Sequence, residues 1–112
     1  YLRYQGKSFV DRFDANSYLY MTRAMDYFDV SEQLVKNKGS IIENKIRFLV
    51  LSFTSDWLFP TKESRGIVSL LNSIGSLVSS AEVVSDRGHD SFLLDEPQLF
   101  KITSGFLKGI KL

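Results

Sequence analysis

Residues 46–53, Ile-Arg-Phe-Leu-Val-Leu-Ser-Phe, form a near-continuous apolar run with almost no alternation. A strand with one wet face alternates apolar and polar residues, so this run predicts a strand covered on both faces, as in parallel sheets. The residues that follow supply the crossover that a parallel neighbour requires. Pro60 and Thr61 open a helix in which Ile67, Leu70, Leu71 and Ile74 repeat at helical spacing, and Gly75 is placed to end it. Ala81–Val84 reads as a second, shorter strand. Pro97, after Asp95 and Glu96, suits a first helical position and opens a last helix with Leu99, Ile102, Phe106 and Ile110 on one stripe. Strand, helix, strand, helix predicts an α/β fold: a βαβ crossover plus a final covering helix. Two strands alone leave edges and apolar surface uncovered, so these elements read as the end of a larger sheet.

The preceding residues differ in character. Residues 1–29 are rich in aromatics and arginines, and Asp14 or Asn16 can cap a helix running to about Tyr27 or Phe28. Its apolar residues, Tyr18, Leu19, Met21, Met25 and Phe28, are spread around the helix, which predicts packing on more than one side. Residues 30–45 are mostly polar and read as a short helix ending near Gly39, then a connector. Two regions are therefore expected, a helical segment with its connector over 1–45 and the sheet-forming part over 46–112.

At 112 residues the chain amounts to one domain or less. Fourteen basic residues face thirteen acidic ones, so no strong field points to nucleic acid or an anionic membrane surface. Asp11, Asp14 and Asp26 also interrupt the basic-aromatic stretch near the start. The absence of cysteine excludes a disulfide scaffold and any thiolate metal site, and suits a reducing, cytoplasmic compartment. The longest apolar run, Phe48 to Phe53, is far too short to cross a bilayer. No signal-peptide pattern is visible, and the chain opens on Tyr1 in mid-motif, as part of a longer protein would.

Few residues can carry chemistry. His89 is the only histidine and lies just past the second strand, in Asp-Arg-Gly-His-Asp; Asp56 lies just past the first, in Thr-Ser-Asp-Trp-Leu-Phe-Pro. Groups beyond the carboxyl ends of parallel strands converge on the crevice where ligands bind. Neighbouring strands would thus bring both side chains to one edge, where a carboxylate on one imidazole nitrogen leaves the other to take a proton. The plainer alternative makes Asp56 a turn former or cap and His89 a loop residue. Asp90 either holds a cationic group of a substrate or caps the turn before Ser91 and Phe92. Asp86 and Arg87 read as an exposed turn, and Trp57 and Phe59 as pocket walls or core. Ser79, Ser80 and Ser91 have no nucleophile-elbow context, and no G-x-S-x-G occurs. One histidine without cysteine supports no metal site, and no glycine-rich phosphate loop is present.

Three blocks in order, YLRYQGKSFVDRFDANSYLYMTRAMDYFD, FLVLSFTSDWLFP and GHDSFLLDEP, resemble the C-terminal third of the homoserine O-acetyltransferase family, most weakly between Val30 and Lys45. The resemblance implies the last part of an α/β-hydrolase core preceded by lid helices. It implies transfer of an acetyl, or in related enzymes succinyl, group from acyl-CoA to L-homoserine through an acyl-serine, in methionine biosynthesis. Under it Asp56 matches the acid and His89 the base of a catalytic triad, and Asp90 matches a position that binds the homoserine amino group. No cofactor is implied beyond acyl-CoA as co-substrate; a homodimer is expected for the complete protein. The nucleophilic serine would lie upstream, so the chain alone is expected to be inactive. A related esterase or deacetylase, and a non-catalytic remnant serving as an interaction module, are the competing readings.

Overall fold

Residues 1–109 are described by a computed structural model, in the order α1 (Leu2–Arg12), α2 (Ala15–Asp26), α3 (Val30–Lys36), α4 (Lys38–Glu43), β1 (Arg47–Phe53), α5 (Thr61–Ser73), β2 (Leu77–Val83), a 3₁₀ helix (Gly88–Leu93) and α6 (Pro97–Lys108). They form two units, one of residues up to Val30 and one from Ser31 onward. None of these helices is long and apolar enough to cross a membrane.

In the first unit, Asp14 is the cap the sequence offers: its Oδ2 accepts from the Ser17 N–H at 2.7 Å, satisfying one orphan donor of α2. Asn16 lies inside the helix instead. Helix α1 was not foreseen, since Gly6 interrupts it and no side chain caps its start. Phe13, in extended conformation, separates the two helices, and its ring stacks on Phe9 at 4.9 Å. Among the described residues of this unit, the expected packing of α2 on more than one side is not found. Tyr18, Leu19, Met21, Met25 and Phe28 are all exposed, and neither helix buries a residue. Two short helices offer too little surface to bury so many aromatic and aliphatic side chains.

The second unit is built on β1 and β2, paired in parallel from Arg47 opposite Leu77 to Phe53 opposite Val83. The mixed α/β class and the crossover through α5 are as the sequence predicts. Strand β2 starts earlier than expected, at Leu77, because backbone pairing extends through Ser79 and Ser80, whose polarity disguised it. One sheet face is closed by a buried cluster of Ile41 from α4 with Leu71 and Ile74 from α5, against which Leu34, Phe48, Val50 and Val78 pack. Ile67, one turn before this cluster, lies beyond it and is exposed. Residues 31–43 thus accompany the sheet, and Gly39 does not end a helix but sits within α4.

Both α4 and α5 end in the same way. The Ile46 and Lys45 N–H groups return to the carbonyls of Ile41 and Ile42, and those of Ser76 and Gly75 to Leu71 and Asn72. This pairing closes the last turn with one left-handed residue. Gly75 adopts it at φ +80° without strain, whereas Lys45 adopts it at φ +51°. Helix α6 begins with Pro97 in its first turn, and Leu99, Ile102 and Phe106 are half-buried. The Arg47 guanidinium lies 5.0 Å over the Phe106 ring and donates to the Gly109 carbonyl, tying the start of β1 to the end of α6. Ile110, the remaining member of the expected stripe, lies outside the described residues.

Candidate functional site

Strands β1 and β2 end level with each other, so the loops that follow leave from one sheet edge. Hydroxyl groups sew these loops together. The Thr54 N–H extends the ladder to the Val83 carbonyl at 3.0 Å. Its hydroxyl donates to the Ser85 carbonyl at 3.0 Å and accepts from the Ser85 N–H at 3.1 Å. One turn further on, the Gly88 N–H donates to Ser55 Oγ at 2.9 Å. Gly88 has φ +67°, a conformation that other residues adopt only with strain.

These ties bring Asp56 and His89 together. Asp56 is buried, and Oδ2 lies 3.0 Å from His89 Nδ1. Its other oxygen, Oδ1, accepts from the Leu58 and Phe59 N–H groups, both at 2.9 Å. Asp56 thus closes a turn with one oxygen and meets the histidine with the other. The Phe59 N–H and then the His89 bond keep the Asp56 carboxyl below its ordinary value of 3.8; partial burial opposes them, and the Leu58 N–H and the His89 charge add to the lowering. An ionised carboxylate only accepts, so Nδ1 carries a proton, and in the neutral form of the ring Nε2 presents the lone pair. That nitrogen makes no hydrogen bond to any described residue.

The imidazole meets two phenyl rings. Phe59 is tilted against it at 5.1 Å and Phe92 meets it edge-on at 5.6 Å. Phe59 and Phe92 also line a cleft with Asp56, Leu51, Phe53 and Leu99. Phe59 is thus a wall, as expected, but Trp57 is not: it is 93% exposed, because the turn closed by Asp56 points it outward. Asp90 is exposed on the same 3₁₀ turn, adjacent to His89 and outside the pair. Arg87 is half-exposed, as a turn residue should be, and lies 3.7 Å from Glu96.

Sequence reasoning missed the serines that support this arrangement. Ser91 is fully buried and donates to the Gly88 carbonyl at 2.6 Å, which closes the turn carrying His89. Ser85 Oγ lies 3.0 Å from Ser91 Oγ and donates to Glu96 Oε1 at 2.7 Å. Ser85 and Ser91 flank the histidine in sequence and Ser55 precedes Asp56, but small hydroxyl residues suit any loop. Ser79 and Ser80 lie on β2, away from the pair.

A carboxylate bonded to an imidazole at a strand edge is an arrangement that can take and return a proton. Comparison with known proteins gives relatives by sequence. No family model matches the chain. It is 59% identical to a homoserine O-acetyltransferase of Mesorhizobium japonicum over 96% of its own length. To the proteins of that name from Rhodopseudomonas palustris and Bradyrhizobium diazoefficiens it is 60% identical over 97%. In each case the match spans 28% of the relative, so the chain corresponds to little more than a quarter of those proteins. With such identity over nearly every residue, the chain is homologous by sequence to a limited part of proteins named homoserine O-acetyltransferase.

Proposed function

We propose that this chain supplies the base and its orienting acid to an α/β-hydrolase-type site that moves an acetyl group from acetyl-CoA to the hydroxyl of L-homoserine. The observation carrying this reading is the 3.0 Å contact between Asp56 Oδ2 and His89 Nδ1 past the ends of two parallel strands. In the proposed reaction, His89 Nε2 takes the proton of a serine hydroxyl supplied by the rest of the protein as that oxygen attacks the thioester carbonyl. Collapse of the tetrahedral adduct breaks the carbon–sulfur bond, and the imidazolium returns its proton to the departing thiolate. Homoserine then repeats the cycle: His89 takes its hydroxyl proton, the oxygen attacks the acyl-serine ester, and the serine recovers its proton. Asp56 stabilises the imidazolium in both halves. Asp90, exposed beside His89, is placed in this reading to attract the homoserine ammonium group.

Homoserine-dependent release of CoA from acetyl-CoA by the complete protein tests the proposal. His89→Ala should abolish turnover, and Asp90→Ala should mainly raise the homoserine KM. Undiminished turnover in His89→Ala would refute the assignment. CoA release that ignores homoserine would make the protein a hydrolase instead.

A further inference from the structure

The segment that carries His89 is pinned at both ends by one bond. Ser85, just past β2, donates to Glu96 Oε1 at the start of α6, at 2.7 Å. Between them, the 2.6 Å bond from Ser91 Oγ to the Gly88 carbonyl holds the turn on which His89 sits. The contact of Ser85 Oγ with Ser91 Oγ, at 3.0 Å, joins the outer clamp to the inner one. The Arg87 N–H reaches the same Ser85 oxygen at 3.3 Å.

Proton counting makes Glu96 the anchor. A serine hydroxyl has one proton and two acceptor sites. With the Ser85 proton committed to a carboxylate, which can only accept, its oxygen faces Ser91 and the Arg87 N–H as an acceptor. The single Ser91 proton goes to the Gly88 carbonyl at 2.6 Å, so the 3.0 Å Ser85–Ser91 contact is the weaker branch of that donation. Donation to Glu96 and acceptance from the Arg87 N–H hold Ser85 in one rotamer. The Glu96 side chain is 13% exposed, so water competes little for a charge-assisted bond. Arg87, 3.7 Å away, balances its charge from the wet side. The hydrogen bond and ion pair of Glu96 go to Ser85 and Arg87.

We propose that Glu96 is a positioning residue for His89, acting through Ser85 and Ser91 to hold the 88–93 turn where the imidazole meets Asp56. The proposal rests on His89 being the base of the acyl transfer described above. Its test is steady-state transfer kinetics of the complete protein carrying Glu96→Ala, Ser85→Ala, both together, and Glu96→Gln. Misplacing a reacting group by about 1 Å through a distant change can lower rates by about 100-fold, so Glu96→Ala should lower kcat about 10- to 100-fold with little change in either KM. Ser85→Ala should fall by a similar factor, and the double variant no further, because both break one clamp. Glu96→Gln keeps an oxygen for the Ser85 proton and should restore most of kcat.

A role confined to stability would lower the melting temperature while leaving kcat per folded molecule unchanged, and that result would overturn the proposal. Additive losses in the double variant, or no rescue by glutamine, would do the same. Should Glu96→Ala fail to fold, Ser85→Ala and Glu96→Gln carry the test. His89→Ala in the same assay separates the two levels: if it stays active, the base assignment fails. If it is inactive while Glu96→Ala and Ser85→Ala turn over normally, only the positioning role does.

Discussion

Replacing Asp56 by asparagine alters a single position of the side chain, and the structure says which interactions survive. The Leu58 and Phe59 N–H groups at 2.9 Å both require an acceptor, so the amide oxygen must take the place of Oδ1. The amide nitrogen then occupies the Oδ2 position, 3.0 Å from His89 Nδ1. Flipping the amide would set a donor against two N–H groups in order to satisfy one imidazole, which is the losing arrangement. An amide nitrogen only donates, so Nδ1 must accept, and the ring proton moves to Nε2. The nitrogen that should take a proton now carries one. In hydrolases that use the same acid and base, this tautomer change lowers kcat about 10⁴-fold. Here the same exchange should cost about 10³- to 10⁴-fold in homoserine acetylation by the complete protein. The turn keeps both backbone bonds, so the thermal midpoint should barely move. Asp56→Ala loses all three bonds and should lose stability as well. If Asp56→Asn folds normally and keeps kcat within about tenfold of the parent, the orienting role of this carboxylate is wrong.

Acid should act on the same group. The folded-state pKa of Asp56 lies below 3.8, so its stabilising contribution is complete above that pH and is lost as the pH falls through the lowered value. Urea midpoints should therefore drop more steeply below pH 3.8 in the parent than in Asp56→Asn; parallel curves would refute the shift. Leu71, 2% exposed at the centre of the buried cluster, should be the costliest truncation in the second unit: Leu71→Ala is expected to destabilise by about 3–5 kcal/mol in urea unfolding, and a loss below about 1 kcal/mol would place the core elsewhere.

Asp56 and His89 were legible in the sequence because chemistry and topology coincide there. An apolar run fixes where β1 ends, a helical period and Gly75 fix the crossover, and the two polar groups follow their strands at once. Helix α1 escaped because Gly6 and the missing cap hide it, and because no buried stripe marks its face. The early part of β2 escaped for the opposite reason. Ser79 and Ser80 are exposed, and only their backbone pairing makes them strand. Phe92 and the clamp from Ser85 to Glu96 were beyond reach because they depend on how a 3₁₀ turn folds back on its own ends, a contact that no periodicity encodes. Trp57 was misjudged since a turn decides its direction and hydrophobicity does not.

The parallel register has an implication for how such a chain can vary in length. Asp56 stands three residues past the pair of Phe53 and Val83, and His89 six residues past it. Adding or deleting a residue in either short stretch would separate the carboxylate from the ring, whatever happened to the core. The turn at Ser76, between α5 and β2, lies at the opposite end of the strands and carries no such count. Natural or engineered insertions should therefore accumulate on that side, while the spans 54–55 and 84–88 stay constant in length even where their residues change.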